Sequence, residues 1–166
     1  MKPHGILATT AAIAAFALAA LAPAHAADAH SHGTPAAESH AAAPHALTLN
    51  QGKRWVTDAP LRRHMNDIRA LVANQLEPIH GGTLSPAGYQ ALGAAIEGKV
   101  GAIVTDCKLP PDADAMLHLV VADLLAGADV MQGKAAGDAA EAAHKVVVAV
   151  NDYGKYFDHP GFAPLG

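Results

Sequence analysis

A chain of 166 residues, 51% of them hydrophobic, is long enough to bury a core of its own, and its single cysteine excludes an intramolecular disulfide as a staple. Eleven Lys and Arg residues against fifteen Asp and Glu residues leave a formal net charge of −4, which argues against nucleic acid and against an anionic membrane surface as partners.

The first element is an export signal over residues 1–26. Lys2 provides a short positive start, and an apolar run follows from Ile6 to Leu21. Pro23 breaks the run, and Ala24-His25-Ala26 supplies the small-x-small pattern that signal peptidase accepts, so cleavage is predicted after Ala26. Cleavage removes Lys2 and no acidic residue, which leaves the mature chain more acidic. The run is Ala-rich and weakly flanked for an anchor, and no later stretch is apolar enough to span a bilayer. The expectation is a periplasmic protein with no membrane association after signal cleavage. In an oxidising compartment a lone thiol is buried, bound to metal, or a route to a dimer.

Residues 27–46 form the second segment, which contains "DAHSHGTPAAESHAAAPH". It is built of Ala, Pro, Ser and His without apolar periodicity. Such a stretch buries too little surface to offset its ordering entropy, which predicts a disordered tail. The tail carries His30, His32, His40 and His45.

Four helical patterns follow a lead-in anchored by Trp55. The first covers residues 58–79, with Thr57 or Asp58 as cap, Pro60 in the first turn and an apolar face of Leu61, Met65, Ile68, Val72, Leu76 and Ile79. Pro78 and Gly81-Gly82 end it. The second opens at Ser85-Pro86, ends near Cys107, and carries Tyr89, Leu92, Ile96, Val100, Ile103 and Val104 as its stripe. Its glycines, Gly88, Gly93, Gly98 and Gly101, lower helix propensity and would let a neighbouring helix approach closely. The third runs from Pro110-Pro111 to about residue 132 with a broad stripe from Leu117 to Met131. The fourth starts at Asp138, with Glu141 completing a capping box, and is lined by Val146, Val147, Val150, Tyr153 and Phe157. The β-branched run from Val146 to Val148 dissents locally. Four amphipathic helices with short connections predict an all-α, antiparallel up-down-up-down four-helix bundle over residues 47–166.

That topology places His64, Met65, Cys107, Met116, His118 and His159 towards one end, and His80 and Met131 at the other. Met65 and His118 each lie about seven residues into diagonal helices, so both are expected roughly 10 Å below one rim. A thioether and an imidazole suit copper(I) or haem iron. Packing explains the same residues: Met65 is central in an apolar stripe, and Cys107 is a small hydrophobe at a helix end. Cys107 and His118 are expected to be offset along the axis and not to be a ligand pair. In the tail, His30 and His32 could hold one ion jointly, with His40 and His45 adding ligands. Borderline divalent ions such as copper(II), nickel and zinc suit imidazole. A solvated, composition-biased leader is the alternative.

Enzyme signatures are missing. The sequence has no Gly-x-Ser-x-Gly, no phosphate-binding Gly-Lys-Ser/Thr loop and no His-Glu-x-x-His. It also has no Cys-x-x-Cys-His, which excludes covalent c-type haem.

Two resemblances bear on function. The four helical patterns resemble the cytochrome b562 and cytochrome c-prime class of exported bundles. In the non-covalent members a Met near the start of the first helix and a His near the end of the last bind haem b. Met65 matches the first by placement. For the second, His159 lies beyond the last helix beside Pro160, His144 lies near its start, and His118 would be a different solution. The stretches "LTLNQGKRWVTDAPLRRHMNDIR", "CKLPPDADAMLHLVVADLLAGADVMQG" and "NDYGKYFDHPGF" resemble a group of small exported proteobacterial proteins labelled DnrO-like, a resemblance that implies no activity. Three functions follow as expectations. The first is a periplasmic metal-binding or metal-buffering protein, copper first. The second is a haem-binding electron carrier. The third is a cofactor-free module whose aromatics, Trp55, Tyr153, Tyr156, Phe157 and Phe162, dock a second copy or a periplasmic partner, unless they simply cap the bundle.

Overall fold

The computed structural model describes residues 46–166. The predicted signal, and the tail positions His30, His32, His40 and His45, lie outside the described residues. Among the described residues the chain is all-α. It comprises α1 (Ala59–Ala73), α2 (Leu76–His80), α3 (Pro86–Asp106), α4 (Pro111–Met131) and α5 (Ala139–Tyr156). The run from Val146 to Val148 is helical, inside α5.

Local chemistry sets the helix starts. Asp58 caps α1, its carboxylate accepting from the Leu61 N–H at 2.8 Å. The same side chain accepts from the Lys108 N–H at 2.6 Å, which ties the start of α1 to the loop after α3. Ser85 accepts from Gly88 at 3.1 Å and Asp138 from Glu141 at 2.8 Å. Each such cap is worth about 1 kcal/mol. The return half of the predicted capping box is not made, because the Glu141 carboxylate pairs with Lys145 at 3.0 Å.

The first predicted helix is broken in two. Pro78 has no N–H to donate to the Asn74 carbonyl, and its ring would collide with that carbonyl in a continuous helix. The chain therefore tightens at Asn74 and Gln75, where the Gln75 N–H reaches back to Val72 O at 3.0 Å, and restarts as α2 with Pro78 in its first turn. Ile79 stays fully buried across this break.

The four long helices pack in chain order, α1 on α3, α3 on α4 and α4 on α5, and α5 returns to α1. Cross-links show opposite directions. Asp67 pairs with Lys99 at 2.8 Å, while His64, earlier in α1, meets Asp106, later in α3, at 2.9 Å. Fully buried Leu61, Met65, Ile68, Val72, Ile96, Ile103, Val120, Leu124, Val146 and Val150 fill the centre at helical spacing. Each contributes about 1.5–3 kcal/mol of apolar burial. Val104 leaves the predicted stripe and is 68% exposed, one step round the helix from buried Ile103.

Glycine sets two of the seams. A Cβ on Gly93 would lie 2.7 Å from the Ala128 carbonyl oxygen, and one on Gly127 would lie 2.5 Å from Val146 Cγ2. Gly98 and Gly101 face open space, so the predicted close approach of α3 to a neighbour is carried by Gly93. Across the middle, α3 also reaches α5, whereas α1 and α4 make no comparable approach.

Outside the helices, the lead-in and the segment after α5 lie side by side. The Trp55 N–H donates to Tyr156 O at 2.8 Å and the Asp158 N–H to Trp55 O at 2.7 Å. Beyond it, Asn151 clasps Leu165, whose N–H donates to Asn151 Oδ1 at 2.7 Å and whose carbonyl accepts from Asn151 Nδ2 at 3.2 Å. Arg69 of α1 donates to the Ala163 carbonyl in the same stretch.

Candidate functional site

The end formed by the start of α1, the end of α3, the start of α4 and the end of α5 gathers most of the polar chemistry. The cap at Asp58 and the short turn from Cys107 to Pro110 put Cys107 beside the first turns of α4. Cys107 and His118 line one groove of about 180 Å³, together with Ile103, Asp114, Leu117 and Val121. Sequence spacing offsets the two along the axis, and both line this groove.

His118 is exposed, with 69% of its side chain in solvent, and it is fixed at one nitrogen. Its Nδ1–H donates to the Asp114 carbonyl at 2.9 Å, and the Asp114 carboxylate lies 3.4 Å from the same nitrogen. That hydrogen bond puts a proton on Nδ1 and leaves Nε2 as the outward nitrogen, the arrangement that second-shell carbonyls impose on metal-ligating histidines. Cys107 is half-buried, and burial, then Asp58 and Asp106, push its thiol up to about 11. To bind a metal at neutral pH the thiol must release its proton to solvent as the metal–sulfur bond forms.

Met65 is fully buried in the apolar face of α1. The structure does not bring it together with His118, because α1 and α4 stay apart while α3 and α5 close the other diagonal. The predicted axial pair for haem is therefore not formed. The other two histidines placed against the b562 pattern are also engaged elsewhere. His144 stacks on His80, and His159 is buried with its Nδ1 hydrogen-bonded to the Tyr153 hydroxyl at 3.0 Å. Burial first, then Arg62, holds His159 below the usual imidazole range. Burial likewise pushes the Tyr153 hydroxyl well up.

His64 is buried as well. Its Nε2 meets the Asp106 carboxylate at 2.9 Å, with Arg63 3.4 Å from the same oxygen, and its Nδ1 has no partner. Met116 is buried, its sulfur 3.9 Å from the Thr48 hydroxyl. Trp55, Tyr153 and Phe157 are buried, and Phe162 packs edge-on against Tyr153 at 5.0 Å between centroids. These aromatics close the end of the domain. A Cβ on Gly154 would lie 2.9 Å from Phe162, so that closure leaves no room beneath the ring.

Two relationships escaped the sequence. One is the buried Tyr153–His159 hydrogen bond. The other is the stack of His80 on His144. A signal for the second was present: "EPIH" and "EAAH" each set a Glu three residues before the histidine, at Glu77 and Glu141. Among the described residues no group of three or more His, Cys, Asp and Glu side chains is placed to hold a metal ion, and no helix is long and apolar enough to cross a membrane. No family model, curated protein or solved structure matches the chain.

Proposed function

We propose that the protein is an exported, periplasmic metal-binding protein that buffers a transition ion, copper being the first candidate. In this reading residues 1–26 are the export signal, and the helical domain is an up-down-up-down four-helix bundle of the small DnrO-like type. His30, His32, His40 and His45 capture the ion, since clustered imidazoles suit copper(II), nickel and zinc. The observation that carries the reading is His118. Its Nδ1 is fixed on the Asp114 carbonyl at 2.9 Å, and His118 and Cys107 line one groove. An imidazole and a thiol are a donor pair suited to copper(I).

The test compares copper and zinc binding by the full-length mature protein with a form lacking residues 27–45. Loss of most binding on deletion, and a further loss in His118→Gln, supports the reading. Equal, weak binding by both forms overturns it. A haem carrier gains no such observation, because Met65 and His118 do not face one another.

A further inference from the structure

α2 is five residues long, yet it is firmly seated. Ile79 is fully buried, and the helix packs on α5. That seating carries His80, the last residue of α2, over His144 in the second turn of α5. The ring centroids are 5.6 Å apart and the planes 6° from parallel, and both residues are exposed.

We infer that His80 and His144 form a two-imidazole clamp for a borderline divalent transition ion, Cu²⁺, Ni²⁺ or Zn²⁺, at the end of the domain away from Cys107 and His118. The spacing matches. At ~2.1 Å from nitrogen to metal each ring centroid lies roughly 3.2 Å from the ion, so two imidazoles at a tetrahedral angle have centroids about 5.3 Å apart. The observed 5.6 Å needs only a small shift. Both ring planes must also pass through the ion. That is a change in χ2, a broad and soft torsion for an exposed histidine. Much of the ordering cost is met beforehand, because Ile79 fixes α2 against α5 whether or not an ion is present.

Charge around the pair is mixed. Glu77 and Glu141 precede their histidines by three residues and lie on the same helix faces, where negative charge favours a nearby cation. Lys145 opposes this and holds Glu141 at 3.0 Å. The clamp therefore supplies two protein ligands, and water completes the coordination. The inference extends the metal-binding reading to a place that reading does not use, and it is tested apart from it.

The experiment is calorimetric titration of Cu²⁺ and of Zn²⁺ into the full-length mature protein, and into a full-length variant in which His30, His32, His40 and His45 are all changed to Gln. The expected result is that the fourfold variant still takes up an ion, and that adding His80→Gln or His144→Gln weakens this binding about tenfold or more. In the same background His144→Phe keeps a stacked ring, and with it the melting temperature, but loses the ion. Unchanged affinity in both Gln variants overturns the clamp. So does a fourfold variant that binds nothing, an outcome that leaves capture by the tail standing. A fourfold variant that binds as tightly as the unaltered protein, and weakens at His80 and His144, supports the clamp and removes the tail.

Discussion

The Tyr153 hydroxyl and Nδ1 of His159 are hydrogen-bonded at 3.0 Å, and both residues are buried. A charged imidazole there would be held away from water among buried side chains. Burial already favours the neutral form and holds the group below its usual value. As pH falls below about 6.5 the unfolded chain takes up this proton before the folded one does. The stability that depends on neutral His159 is thus complete above that pH and is lost as pH drops towards the depressed folded value. Thermal melts at pH 7.5 and pH 5 should show a smaller acid-induced fall in His159→Gln than in the unaltered protein. Tyr153→Phe, which strands the buried Nδ1, should cost about 1–3 kcal/mol at neutral pH.

Glycine positions predict opposite effects for the same substitution. In Gly127→Ala the new methyl would lie 2.5 Å from Val146 Cγ2 and 3.1 Å from the Ala142 carbonyl oxygen. Helices α4 and α5 must separate to admit it, at about 1–3 kcal/mol. Gly98→Ala meets nothing within 4 Å and should stabilise by about 0.5–1 kcal/mol through helix propensity. Urea denaturation of the two variants measures both signs.

Cys107 should behave as a slow thiol. Its value is raised from 9.0 to about 11, and each unit removes a factor of ten in thiolate. Alkylation by iodoacetamide at pH 7.5 should run roughly a hundredfold slower than for a free thiol of ordinary acidity. A rate profile with a midpoint near pH 9 would contradict the burial and the two neighbouring carboxylates.

Met65 should act as core and not as a ligand. Met65→Ala should cost about 2–5 kcal/mol and Met65→Leu less than about 1.5 kcal/mol. Copper binding should be unchanged in Met65→Leu. A loss of binding with normal stability would place the thioether at the metal.

What could be read from the sequence was local. Ser85, Asp138 and Asp58 announce helix starts through their own side chains, and the stripes from Leu61 to Val72 and from Val146 to Tyr153 bury as their spacing requires. Pro78 was legible as a break but not as a restart, because only the burial of Ile79 keeps the chain helical after it. The candidate site depended on distances between helices. Gly93 and Gly127 draw α4 against both its neighbours, and α3 rather than α1 crosses the middle. A helical wheel holds no information on which diagonal closes. His118 consequently turns to solvent beside Cys107, instead of inward to Met65. His80 reaches His144 only because α2 departs from the line of α1.

The pairing of the lead-in with the segment after α5 fixes an order of events. Thr57 donates to the Asp158 carbonyl at 2.6 Å across 101 positions of sequence, and Trp55 is covered from the same side. A chain made from its N-terminus can form α1 to α4 and most of α5 before either partner of Trp55 exists. Closing so long a loop is slow, and it is rewarded only at the last step. Until then the indole lies open, and proteases or chaperones would meet an almost complete set of helices with one unsealed end. A chain ending at Tyr156 would keep every helix and still lack Phe157 and Asp158. Its defect would show as a Trp55 emission shifted towards that of water, with little change in helical content.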